Sequence, residues 1–305
     1  MSAAAASPLP DTPGVTLSPD GLIALRQVTL KARGEPALAN LPGGFATRRK
    51  GHGQEVADVR QYVAGDDIRH LDRGTTARTG ELHVRQFQEE RDRITILVAD
   101  FRPSMLWGIT RAFRSVAAAE ALALIGWQAV EDGGRTGLLA ITSGPPVIVP
   151  PRGRARGMLD VIGGMVRAHR AALQGAMDGD TADPPLAGPL SRAERIAPRG
   201  AELIIASGFD TPGDGFGEVL SRLDRDRVPR LMAITDADGT RLPRGDYPVR
   251  LSDGRHIRIA LDGTGAEAPD LLDIEGFRAL RVDAGQSVED MARRLAAAFP
   301  PDRAP

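Results

Sequence analysis

Five short apolar runs without alternation constrain this chain most. They fall at residues 94–99, 138–141, 203–206, 231–234 and 280–282. Each is too short for a buried helix and lacks the in–out rhythm of a half-exposed strand, so each predicts a strand covered on both faces. Between them the apolar residues return at helical spacing. One helix is predicted over 111–130 with Phe113, Val116, Leu122 and Ile125 inward, others over 158–168 and 216–224, and a last one from Ser287, with Asp290 completing a capping box. Strands alternating with helices specify an α/β protein with a doubly wound, mostly parallel, Rossmann-like sheet. Residues 147–149, bracketed by Pro145-Pro146 and Pro150-Pro151, fit an edge strand, and 249–251 with 256–261 fit a β-hairpin insertion turning at Asp253-Gly254.

The remainder is less regular. Residues 1–18, rich in Ala, Pro and Ser, read as a disordered tail, and 21–30 as one short helix that could pack on the main domain. Residues 45–93 interleave arginines with aspartates and show no period, which predicts an irregular charge-paired region. The proline-bearing stretch 178–200 reads as a mobile loop. The resulting division is a tail at 1–18, a charged N-terminal segment at 19–92 and an α/β domain at 93–300.

Charge and composition exclude several functions. With 39 Lys+Arg against 40 Asp+Glu the formal net charge is −1, so no global field gathers nucleic acid or an anionic membrane. The absence of cysteine removes disulfides, thiolate metal sites and cysteine nucleophiles. The N-terminus lacks the basic start and apolar stretch of a signal peptide, and no segment is apolar for long enough to span a bilayer. A cytoplasmic protein without membrane insertion is the expectation.

In an open parallel sheet, ligands collect at the carboxyl ends of the strands where strand order reverses. That rule selects Asp100, Thr142-Ser143, Ser207 with Asp210 beyond, and Thr235-Asp236. Asp, Ser and Thr are also ordinary turn and capping residues, so each one alone has a purely structural explanation. Taken together, Asp100, Arg102, Ser104, Ser207 and Asp210 form the candidate binding set.

The segment Asp100-Phe101-Arg102-Pro103-Ser104-Met105 resembles the D-x-S-x-S start of the metal-ion-dependent adhesion site of von Willebrand factor A domains. Upstream, Gly51-His52-Gly53-Gln54-Glu55, Arg60-Gln61-Tyr62, Gly65-Asp66-Asp67-Ile68-Arg69, Leu71-Asp72 and Ala77-Arg78-Thr79 resemble the signature of the bacterial domain of unknown function 58 family. The resemblance runs from about Leu22 to Phe299. It implies a von Willebrand factor A-like fold, no established catalysis, and partnership with MoxR-type AAA+ ATPases in protein-complex maturation, with other von Willebrand factor A proteins as further candidate partners. This chain departs from the pattern at three places. Arg73 stands where the family has tryptophan, Arg102 fills the second slot of D-x-S-x-S in place of a hydroxyl residue, and the later Ser-Asp-Phe reads Ser207-Gly208-Phe209 with the carboxylate displaced to Asp210. A guanidinium in a hydroxyl's place removes an oxygen ligand and adds positive charge, so the site is expected to be degenerate, with no cofactor or only weak Mg²⁺ or Mn²⁺ binding. Arg102 is expected to substitute for the cation, pairing with Asp100 or Asp210 or receiving a partner's carboxylate.

The reading that follows is a non-catalytic protein-interaction module flanked by a charged patch of Glu55, Arg60, Asp66, Asp67, Arg69, Asp72 and Arg78. The alternative is a metal-dependent hydrolase using Asp66, Asp67, His70 and Asp72, against which the neighbouring arginines weigh. Gly51-His52-Gly53 lacks the Lys-Ser/Thr of a phosphate-binding loop. Ser104 and Ser207 have no evident histidine base, and His83, His169 and His256 read as structural. Trp107 and Trp127 are expected in or beside the core.

Overall fold

The computed structural model describes residues 11–34, 53–63, 68, 71–89, 93–236, 243–250, 255–261 and 269–299. The chain divides into two compact units, one formed by Met1–Phe45 with Arg93–Pro305 and the other by Ala46–Asp92.

The larger unit is built on a seven-stranded sheet. Its strands are β3 (Ile94–Asp100), β4 (Arg135–Ile141), β5 (Val147–Gly153), β6 (Glu202–Ser207), β7 (Val228–Thr235), β10 (Leu271–Ile274) and β11 (Phe277–Asp283). They lie in the order β10-β11-β7-β6-β3-β4-β5. The central neighbours are parallel, while β5 and β10 run antiparallel at the two edges. The five apolar runs are these central strands, and in β3 and β4 every residue after the first is buried. The edge position of β5 matches its prolines, whose missing N–H groups need no ladder partner there. Strand β10 is an addition that the sequence did not suggest.

Helices cover both faces. On one side α3 (Arg114–Glu131), α4 (Arg154–Met177) and α8 (Val288–Ala298) share a core with Leu97, Ala99, Leu138 and Ile204. On the other, α7 (Phe216–Asp226) and two short helices, α5 (Ala187–Leu190) and α6 (Ala193–Ile196), pack on Ile96, Val98, Ile141 and Ile205. These two helices correct the expectation of a structureless loop over 178–200: Leu186, Leu190 and Ala193 are fully buried and hold the segment down.

Helix α3 is apolar almost all round, with 14 residues buried from Arg114 to Gln128. A helix of that kind must be covered on its far side as well. The cover is α1 (Pro19–Gly34), which is longer than the predicted 21–30 and belongs to this unit rather than to a continuous 19–92 segment. It packs Leu22 and Leu25 inward, accepts a hydrogen bond from Trp127 Nε1 at Leu22 O (3.0 Å), and pairs Arg26 with Glu131 and Arg33 with Asp132. Residues 11–18 precede it as a turn, with Leu17 buried and the Gly14 carbonyl accepting from Phe113 N at 2.7 Å. The disorder expected for 1–18 is therefore wrong for 11–18, and residues 1–10 lie outside the described residues. Two further strands, β8 (Gly245–Arg250) and β9 (His256–Leu261), pair antiparallel as a ribbon, and their predicted turn at Asp253-Gly254 lies outside the described residues.

In the smaller unit β1 (Gly53–Gln61) and β2 (His83–Glu89) pair antiparallel with two register shifts, and α2 (Arg73–Thr79) lies between them in sequence. The described residues of this stretch form strands and a helix where an irregular region was expected. Its bulged register and polar composition suppress the alternation by which strands are read. Among the described residues no helix is long and apolar enough to cross a membrane.

Candidate functional site

Strand order reverses between β3 and β6: the chain leaves β3 toward β4 and β5 on one side and returns to lay β6, β7 and β11 on the other. The register pairs Ala99 with Ala206, so Asp100 and Ser207 emerge side by side at the crevice. Ser207 Oγ donates to Asp100 Oδ2 at 2.6 Å and accepts from Phe209 N at 3.0 Å.

Arg102 lies wholly inside, at 0% exposure. Its Nε and Nη2 clasp Asp100 Oδ1 and Oδ2 at 2.9 and 2.8 Å, a bidentate pair of the strong, charge-assisted kind. Nη1 donates to the carbonyls of Pro184 (2.5 Å) and Thr211 (3.0 Å) and lies 3.6 Å from Asp183 Oδ2. Burial alone would lower the Arg102 pKa, but the hydrogen bond to Asp100 and the charges of Asp100, Asp183 and Asp210 raise it above the ordinary arginine value. Of the pairings expected for Arg102, the structure has the one with Asp100. A partner's carboxylate cannot reach a side chain so enclosed.

Asp210 pairs instead with Arg114, at 2.8 Å from its Nη1. Arg114, the first residue of α3, is the residue that sequence reasoning missed. Its Nε donates to Ile234 O at the end of β7 (2.8 Å), its Nη1 lies 3.4 Å from Ser104 O, and its guanidinium stacks 5.3 Å from the Trp107 ring centroid. Gly208 makes this possible, because a Cβ there would sit 2.5 Å from Arg114 Cζ and overlap Nη2. Phe209 then turns back in the left-handed region (φ 55), which brings Asp210 over Gly208. The signal in the sequence was the glycine standing where a carboxylate was expected, with the carboxylate two positions on.

The other loops close the rim. Ser104 N donates to Asp183 Oδ1 at 3.0 Å, Ser143 Oγ donates to Asp180 Oδ2 at 2.8 Å, and Ile109 N donates to Asp236 Oδ2. Trp107 and Ile109 are 41% and 45% exposed, so Trp107, expected in or beside the core, stands at the rim; Trp127 is buried at 2%. Side chains of Asp210 and Arg114 are 47% and 6% exposed, which leaves the carboxylate at the surface and its arginine beneath.

A divalent ion does not fit this donor set. An ionised carboxylate offers about four lone-pair positions, and those of Asp100 are taken by Arg102 N, Nε and Nη2 and by Ser207 Oγ. Among the described residues no group of three His, Cys, Asp or Glu side chains could hold a metal.

Elsewhere, His169 Nε2 lies 2.9 Å from Ser115 Oγ and its ring meets Phe101 edge-on. Burial lowers its pKa to about 4. At 1% and 0% exposure His169 and Ser115 are beyond the reach of substrate.

The charged patch is only partly described. Asp72 caps α2, accepting from Thr75 N at 2.7 Å; Arg60 Nη1 donates to Gln61 O at 3.1 Å; Arg78 is exposed in the last turn of α2. Glu55 is a β1 residue whose side chain, like Asp66, Asp67, Arg69 and His70 altogether, lies outside the described residues.

Fold and site together define an open α/β protein with an enclosed polar cluster at the sheet's switch point and an apolar-lipped rim around it. The chain belongs to the family described as protein of unknown function DUF58, whose model matches residues 58–260. It is 35% identical over 102 residues to uncharacterized proteins of Mycobacterium bovis and of two Mycobacterium tuberculosis strains, a match covering 33% of this chain and 32% of each relative. The matched part thus spans about a third of those relatives' length.

Proposed function

We propose that this chain is a non-catalytic protein-interaction module with a von Willebrand factor A-like fold, and that its partner docks on the strand-end rim of Trp107, Ile109 and Asp210. One observation carries the reading. The polar groups at the switch point are turned inward and engaged with each other, while the loops they anchor present two large apolar side chains to solvent. Exposed aromatic and aliphatic side chains on firmly held loops suit a binding anchor, since little side-chain freedom remains to be lost on association. Catalysis by Ser207 is disfavoured because its hydroxyl donates to a carboxylate that is itself held by Arg102. The family resemblance points to a MoxR-type AAA+ ATPase as the partner.

Co-purification of the two proteins tests this. With ATP present, the wild-type chain is expected to retain the ATPase, and Trp107→Ala with Ile109→Ala is expected to release it while the chain stays folded. Absence of stoichiometric association under ATP would count against the partnership, and retention by the double variant would count against the rim.

A further inference from the structure

The acceptors gathered at the end of β3 are of the kind a hard cation collects: the carboxylates of Asp100 and Asp183, the hydroxyl of Ser207, and the carbonyls of Pro184 and Thr211. We infer that the guanidinium of Arg102 is the resident cation of this site, and that with Arg114 it assembles the binding surface permanently, without a metal ion. The inference concerns how the rim is built and does not depend on which partner occupies it.

The contacts of the two arginines join segments that are far apart in sequence. Arg102 ties the end of β3 to Pro184, 82 residues away, and to Thr211, 109 residues away. Arg114 ties the start of α3 to Ile234, 120 residues away at the end of β7, and to Asp210 in the loop after β6. A guanidinium has five N–H donors in a fixed plane, and Arg102 spends donors from all three of its nitrogens on oxygens. The charge is supplied covalently and cannot be titrated away or chelated. The two departures from the metal-site pattern each place a guanidinium at the strand ends. Arg102 occupies the position where the ion's charge would be, and Gly208 clears the space through which Arg114 reaches its partners.

A cation inside the chain predicts two behaviours that a metal site cannot share. The test is Mn²⁺ binding followed by electron paramagnetic resonance, with thermal unfolding in EDTA, in Mg²⁺ and in methylguanidinium, on wild type, Arg102→Ser and Arg102→Ala. Wild type is expected to take up no Mn²⁺ in the millimolar range and to unfold at one temperature under all three conditions. Arg102→Ser frees one acceptor position on each Asp100 oxygen and restores a hydroxyl. It is expected to unfold on the order of 10 °C lower, as for loss of a buried ion-pair partner, and to regain part of that in Mn²⁺. Arg102→Ala is expected to regain part of its loss in methylguanidinium, which refills the slot. Should both small variants fail to fold, Arg102→Lys, which keeps the charge but not the bidentate clasp, is expected to unfold below wild type, and the wild-type measurements decide by themselves. Mn²⁺ uptake by wild type that disappears in Asp100→Ala would overturn the inference, as would an Arg102→Ala chain as stable as wild type with no added cation.

Discussion

Gly208→Ala is the substitution whose effect depends most on the construction of this site. Gly208 does not have a positive φ, so its backbone would accept alanine, and in open space the change would stabilise slightly by narrowing the unfolded ensemble. The space is not open, since the new Cβ would lie 2.5 Å from Arg114 Cζ and overlap Nη2. To reach ordinary van der Waals separation the guanidinium must leave, and with it go the 2.8 Å bond from Nε to Ile234 O and the 2.8 Å pairing with Asp210. Hydrogen bonds to charged groups contribute roughly 1.5–3 kcal/mol each, less up to about 1 kcal/mol gained from the alanine, which gives a net loss of about 2–6 kcal/mol. For a unit of this size that lowers the midpoint of thermal unfolding by roughly 5–20 °C. Urea unfolding should show the same loss as a shifted midpoint with unchanged slope. The decisive comparison is a double-mutant cycle with Arg114→Ala. Once the guanidinium is gone, the flexible end of Asp210 is what remains of the three nearest atoms around a Cβ at 208, and the cost of alanine should fall to about 1 kcal/mol or less. Additive losses in the double variant would refute the argument, because a clash with Arg114 cannot persist without Arg114.

Two further effects follow from buried groups. His169 is held neutral with its pKa lowered to about 4, while in the unfolded chain it protonates near its ordinary value of 6.5. Stability from the neutral imidazole is therefore complete above pH 6.5 and is lost as pH falls from there toward 4, by about 3 kcal/mol in all. Urea midpoints taken across that range should decline less steeply for His169→Gln than for wild type, and equal slopes would remove His169 from the account. In α1, Leu22→Ala should cost about 2–5 kcal/mol, as for a buried leucine in a packed core, because Leu22 is 3% exposed under α3. A change within about 0.5 kcal/mol, typical of surface sites, would mean that α1 is not part of the fold's stable unit.

What the sequence revealed, and what it hid, follows from how far each feature depends on local pattern. The five central strands were legible because burial on both faces leaves nothing but apolar residues in runs such as Ile96-Leu97-Val98-Ala99. The capping of α8 was legible because Ser287 and Asp290 meet across a single turn, with Ser287 Oγ accepting from Asp290 N at 3.1 Å. Helices α5 and α6 are four residues each, too short to show any period, and only the burial of Leu186 and Leu190 reveals that they are packed. Strands β1 and β2 were hidden by polar residues and shifted register. At the site, Asp100 and Ser207 could be selected from strand ends alone, and Arg102 from the resemblance to the D-x-S-x-S pattern. Arg114 could not, because its role depends on Asp210 and Ile234 arriving from distant strands. The covering of α3 by α1 was present in the sequence as an excess: an alanine-rich helix with no polar face needs a second neighbour besides the sheet.

Hydrogen exchange measured with and without the proposed partner, a MoxR-type AAA+ ATPase, addresses the docking claim at its root. Slowed exchange is expected in the amides of residues 105–111 and 208–214, on the loops that carry Trp107, Ile109 and Asp210. Protection confined to α7 or to the β8–β9 ribbon, with those two loops unchanged, would contradict it.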